Sequence, residues 1–116
     1  MIGYIFSRIM KKARGAAIID SSIPATSKVE SGCTVISSEF GEHSFCGYDC
    51  SFIRASVGRF CSIASQVVVG GARHPIEFVS TSPVFLAHKE SIKKKFSHHD
   101  YRWEPRTTIG HDVWIG

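Results

Sequence analysis

Residues Phe40–Gly70 read FGEHSFCGYDCSFIRASVGRFCSIASQVVVG, and this stretch decides the fold. Apolar residues stand six apart at Phe40, Cys46 and Phe52. The phase slips by one residue and continues at Val57, Ile63 and Val69. Glycine follows directly at Gly41, Gly47, Gly58 and Gly70, with Ile53 and Ala64 as the exceptions. After a long gap the phase returns at Ile109 and Ile115, followed by Gly110 and Gly116. The chain has only ten glycines, so finding six of them in one phase is a positional signal and not a compositional one. Glycine tolerates left-handed backbone and close approach at a corner. A six-residue period with a corner glycine marks a solenoid that turns at every hexad. The fifth position of the hexad is small or apolar too: Ser44, Cys50, Cys61 and Val67. Positions one and five then point inward from a short strand and its turn. Three hexads, about 18 residues, make one triangular coil, whose edges stay open until another coil stacks on it. The fold class is an all-β solenoid.

The flanks differ in character. Within residues 1–14, Ile2, Ile5, Phe6 and Ile9 share one helical face. This short amphipathic helix is expected to cap the end of the solenoid. The alternative is contact with a membrane surface, aided by the basic residues behind it. Ala16–Ile19 reads as an entry strand and Pro24 as a turn, so residues 1–28 form the N-terminal helix and entry segment. The coils occupy residues 29–70, with an irregular first pair of hexads near Val29 and Val35. Residues 71–108 break the pattern, because the step from Val69 to Ile109 is not a multiple of six. This excursion loop holds Pro75, Pro83, Pro105 and four histidines: His74, His88, His98 and His99. Unstructured loops of such length are uncommon and usually functional. Within it, Ala87–Phe96 is a candidate for a short helix. Residues 109–116 re-enter the repeat and stop at Gly116 in mid-hexad. An unpaired strand edge with no capping segment leads to the expectation of a truncated reading frame.

Composition narrows the function classes. The chain has 116 residues, enough for one small domain, which buries only about two-thirds of its unfolded surface. Oligomerisation is therefore expected. The net charge of +4 comes from Arg8, Lys11, Lys12 and Arg14, and from Lys93, Lys94 and Lys95. Neither run has the aromatic interleaving of a nucleic-acid surface. A solvated basic face is one reading, and attraction for an anionic ligand such as a nucleotide phosphate or acidic saccharide is the other. Cys33, Cys46, Cys50 and Cys61 make no C-x-x-C pair, which argues against a zinc knuckle. Three of them occupy inward positions, where cysteine fills space as a small apolar residue. Free buried thiols fit a reducing, cytoplasmic setting. No segment approaches the roughly 18 apolar residues of a membrane span.

Four stretches together resemble one family. They are Val57-Gly-Arg-Phe-Cys-Ser-Ile-Ala-Ser, Gly70-Gly-Ala-Arg-His-Pro, Val79-Ser-Thr-Ser-Pro-Val-Phe and Thr108-Ile-Gly-His-Asp-Val-Trp-Ile-Gly. They are similar to hexapeptide-repeat acetyltransferases, in particular the xenobiotic subgroup. That subgroup contains type B chloramphenicol and streptogramin acetyltransferases and related O-acetyltransferases of surface-polysaccharide pathways. The resemblance covers about residues 29–116, and the His-Pro followed by Ser-Thr-Ser-Pro-Val-Phe is more specific than the repeat. It implies a left-handed parallel β-helix assembled as a homotrimer, with acetyl-CoA as donor and an active site between subunits. Typical members continue for several further coils, which supply much of the CoA contact.

The resemblance also assigns roles. By its place in the motif, His74 matches the family's catalytic base. A positioned base accelerates attack by a hydroxyl on a thioester by roughly 10²–10⁴, and histidine's ordinary pKa suits that task. No acyl-enzyme is needed, so the cysteines need no catalytic part. Ser80, Thr81 and Phe85 are candidates to line the acceptor pocket, or else simply shape the loop. Trp114 follows an inward position and faces outward, where it is a candidate for the CoA contact or for burial against a neighbouring subunit. His88, His98 and His99 are expected in solvent, and His43 on an outward turn. The acceptor is a hydroxyl of a sugar, a polysaccharide precursor or an antibiotic. Two other readings stay open: a non-catalytic β-helix fragment, and a zinc enzyme resembling γ-class carbonic anhydrases, which use three histidines.

Overall fold

The computed structural model describes residues 1–87, 92–102 and 105–116. They fall into two compact units, Met1–Gly71 with Arg106–Gly116, and Ala72–Pro105. The first unit is a parallel β-solenoid of about three turns with one short N-terminal helix. The helix α1 spans Ile2–Ala13. The strands are β1 Ala17–Ile19, β2 Lys28–Val29, β3 Thr34–Ile36, β4 Glu39–Phe40, β5 Phe45–Cys46, β6 Ser51–Ile53, β7 Ala55–Val57, β8 Ser62–Ile63, β9 Val68–Gly70, β10 Thr107–Ile109 and β11 Trp114–Ile115. They form three parallel faces, in the orders β1-β3-β6-β9, β4-β7-β10 and β2-β5-β8-β11. The isolated bridge between Ser22 and Glu39 extends the second face by one coil.

The inward positions are those the hexad phase predicts. Val35, Phe40, Cys46, Phe52, Val57, Ile63 and Val69 make one buried column. Phe40 and Phe52 meet edge to face at 4.9 Å. Apolar burial of this kind stabilises by roughly 25 cal/mol per Å².

Coil length departs from the expectation. Thr34 pairs with Ser51 and Ser51 with Val68, while Phe45 pairs with Ser62, so each coil takes 17 residues and not 18. The one-residue slip after Phe52 recurs in every coil, because the corner between the first and second faces is shorter than the other two. Ile53 stands at that corner, in register with Ile36 and with Gly70.

Of the two expected uses of the hexad glycines, close approach is the commoner, and left-handed backbone is adopted by Gly70. The left-handed corner residues are Asp20, Ser37, His43, Asp49, Arg54, Phe60, Gln66 and Asp112, at φ between +48° and +62°. Gly41 and Gly58 are not among the left-handed glycines. They are needed for close approach: a Cβ on Gly41 would lie 2.6 Å from the Gly58 carbonyl carbon, and one on Gly58 would lie 2.5 Å from the Gly110 oxygen. Glycine stacks on glycine because the coils touch backbone to backbone there.

Buried polar groups inside the corners are satisfied coil to coil. The Ser27 hydroxyl donates to the Gly41 carbonyl at 2.6 Å and accepts the Ser44 N–H. Ser44 repeats this one coil on, donating to Gly58 and accepting from the Cys61 N–H. The Cys61 thiol then donates to the Gly110 carbonyl at 3.0 Å. Cys33 and Cys50 form a second ladder, with their thiols on the Gly47 and Ala64 carbonyls. The cysteines therefore fill the core and also replace serine as corner donors. A buried donor without a partner costs about 1–3 kcal/mol, so these ladders matter to the stack.

The helix forms as the periodicity predicts, but the expected cap does not. Ile2, Ile5, Phe6 and Ile9 are at least half exposed. The chain reverses at Gly15, φ +67°, directly after the helix. The Gly15 carbonyl accepts the Gly32 N–H, and Arg14 pairs with Asp49 at 2.8 Å. These contacts fix the C-terminal end of the helix and leave its apolar stripe uncovered.

Candidate active site

The repeat ends at Gly70 and Gly71, whose φ values of +82° and +107° are open to glycine but strained for other residues. The second unit begins one residue later. Its order comes from a local design in the run Ser80-Thr-Ser-Pro. The Ser80 hydroxyl accepts the Ser82 N–H, and the Ser82 hydroxyl accepts the Val84 N–H. Ser82 thereby caps the 3₁₀ turn Pro83–Phe85, with proline at its favoured first position. Leu86 forms a parallel bridge with His99, and the His99 N–H donates to the Phe85 carbonyl. Lys95 donates to the Pro83 carbonyl at 2.8 Å. Pro75 and Leu86 are fully buried.

His74 is exposed and held at two points. Its Nδ1 lies 2.8 Å from the Thr81 carbonyl oxygen. A carbonyl can only accept, so Nδ1 carries the proton. In the neutral ring Nε2 then keeps its lone pair. The Tyr101 hydroxyl donates to the His74 carbonyl at 3.3 Å. Ring orientation and tautomer are thus set from within the unit.

Ser80 and Phe85 line one hollow of about 520 Å³, together with Glu77, Phe78, Val79 and His99. The Phe78 ring packs edge-on to Tyr101 at 5.7 Å and to His99 at 6.5 Å. His74 does not line the hollow. It connects to it through Thr81, the neighbour of Ser80, and through Tyr101, which bears on Phe78. Thr81 acts through its backbone oxygen, a role that residue type could not disclose.

Glu77, Phe78, His99 and Tyr101 were missed by sequence reasoning. The loop has no period to mark which residues converge, and an exposed histidine beside another histidine carries no signal. His98 is exposed as expected, and His99 is exposed as well as lining the hollow. His88, and part of the helix expected over Ala87–Phe96, lie outside the described residues. The described part of that stretch is irregular. His43 stands on an outward corner and stacks on Phe60 at 5.2 Å, while the His111 Nδ1 accepts the Arg59 N–H. Trp114 lies on β11 in the first unit and is strongly exposed.

Among the described residues, the group whose metal-ligating atoms converge is Cys33, Cys46 and Cys50, within 4.8 Å of one another. Burial pushes the Cys46 thiol well above its ordinary value, and the neighbouring Cys33 and Cys50 sulfurs add to this. Burial raises Cys33 too, partly offset by the Cys50 N–H that it accepts. Neutral thiols suit the corner ladders, whereas metal ligation needs thiolates.

Comparison with family models, with curated proteins and with solved structures found no match.

Proposed function

We propose that the chain is an O-acetyltransferase that moves an acetyl group from acetyl-CoA to a hydroxyl of a sugar, polysaccharide precursor or antibiotic. One observation carries the reading: the Thr81 carbonyl fixes the His74 ring with Nδ1 protonated. That leaves Nε2 on an exposed edge as a base with a set direction. A histidine that only decorated a loop would need no such orienting bond. The resemblance of the motifs around His74 and Ser80–Phe85 supports the same reading, as does a solenoid interrupted by a separately ordered side unit.

In the proposed reaction the acceptor oxygen attacks the thioester carbonyl while Nε2 of His74 takes its proton. A carbon–oxygen bond forms, the tetrahedral oxyanion collapses and the carbon–sulfur bond breaks. CoA leaves as the thiolate and His74 as the imidazolium, and the proton then passes to the thiolate or to water. The Thr81 carbonyl stabilises the imidazolium through the Nδ1–H bond. Phe78, Val79 and Phe85 supply an apolar wall for the acceptor, and Ser80 and Glu77 supply polar groups to orient it. Trp114 is the candidate contact for the donor in the homotrimer that the resemblance implies.

The test is thiol release from acetyl-CoA with a panel of hydroxylated sugars and antibiotics. His74→Gln is expected to lower kcat by roughly 10²–10⁴ with the melting temperature unchanged. Release by the variant equal to that of the parent would remove His74 from the mechanism.

A further inference from the structure

Among the described residues, the helix α1 carries a run of exposed large apolar side chains. Ile2, Ile5, Phe6 and Ile9 fall on one side at about 100° per residue, and all are exposed. Met10 borders the stripe and is also exposed, while Tyr4 stands across the helix from it, on the side of Arg8. Arg8, Lys11 and Lys12 belong to the same helix, and no acidic residue precedes Asp20. The Arg8 guanidinium stands over the Tyr4 ring at 5.9 Å. Arg14, just past the helix, is engaged with Asp49.

We infer that α1 lies in the surface of an anionic lipid bilayer, with its isoleucine and phenylalanine stripe among the acyl chains and its cations at the headgroups. Charge chooses this occupant. An apolar stripe alone would accept any greasy partner, but a helix whose sequence carries three cations and no acidic residue favours a surface of fixed negative charge. Pairing the stripe with the same helix of a second copy would crowd cations from both, with no acidic group on either helix to offset them. Length sets the mode. Twelve residues rise only about 18 Å, short of the roughly 30 Å hydrocarbon core, so the helix rests in the interface and does not cross it. The tether at Gly15–Gly32 and Arg14–Asp49 holds the C-terminal end of the helix to the solenoid, so the attachment belongs to the folded unit. This inference does not depend on the acetyltransferase reading.

Flotation of the full chain with vesicles tests it. The parent is expected to float with phosphatidylcholine–phosphatidylglycerol vesicles, weakly with phosphatidylcholine alone, and less as salt rises. The double substitution Lys11→Gln, Lys12→Gln is expected to lower partitioning to anionic vesicles on the order of 30-fold. Phe6→Glu is expected to abolish it, with the cooperative melt retained in both variants. Equal partitioning of parent and lysine variant, or no preference for anionic over neutral vesicles, overturns the inference. So does a parent that ignores vesicles but whose mass in solution falls on Phe6→Glu, which would assign the stripe to a second copy.

Discussion

The two units of this molecule are ordered by opposite means. In the solenoid, a residue's role follows from its place in a 17-residue coil. Whatever holds at Ser27 holds again at Ser44 and, with sulfur for oxygen, at Cys61. Among the described residues of the unit Ala72–Pro105, order comes from particular bonds such as those of Ser80, Ser82, His74 and Lys95. Repetition makes a stiff stack but treats all coils alike. A reactive group needs one environment and not four copies of it. The proposed chemistry therefore sits where the period fails.

The largest expected effect breaks the stack at its centre. Phe52→Ala empties a fully buried side chain and is expected to cost about 4 kcal/mol in chemical denaturation. Gly58→Ala comes next, at roughly 2 kcal/mol, because its methyl would overlap the Gly110 carbonyl. If the corner glycines instead served backbone conformation alone, the substitution would be nearly silent, since Gly58 has no left-handed φ. The ladder supplies a finer comparison. Ser44→Ala strands a buried N–H and carbonyl and is expected to cost about 1–2 kcal/mol. Ser44→Cys should recover part of that loss, as Cys61 does one coil on. Equal melts for the two variants would reduce the ladder to space filling.

The smallest effect concerns the strand that follows the loop. Arg106 spans Glu39, Ser56 and the Ser37 carbonyl on the outside of the first unit. The Ser56 hydroxyl first, and then Arg106, hold the Glu39 carboxylate below its ordinary value of 4.5. A lowered folded-state pKa stabilises at pH above the ordinary value and loses that contribution as pH falls through the folded value. The gap in melting temperature between parent and Arg106→Gln should therefore be present at neutral pH and shrink below about 4.5. It should be slight, because both groups are solvent-exposed.

What could be read from the sequence follows the same division. The inward column from Phe40 to Val69 was legible because apolar residues and glycines share one phase. The 17-residue coil was not, because its recurrent short corner shows in the clean stretch as a single slip after Phe52. The other instance, between Val35 and Phe40, lies where the phase is ambiguous. The entry strand Ala17–Ile19 proved to be the first strand of a face. In the loop, the motif drew attention to His74, Ser80, Thr81 and Phe85. Their arrangement rests on backbone oxygens and on Phe78, His99 and Tyr101, none of which has a spacing to betray it. The exposure of α1 was hidden for a different reason: amphipathicity says that a face will be covered, and not by what.

In the proposed chemistry His74 acts from a ring whose tautomer the Thr81 carbonyl has already set. Ring nitrogen-15 chemical shifts of the neutral His74 ring decide the matter. The proton is expected on Nδ1 with a bare Nε2, and the preference is expected to be lost in a Thr81→Pro variant that disturbs the accepting carbonyl. A ring protonated on Nε2 in the parent would contradict it.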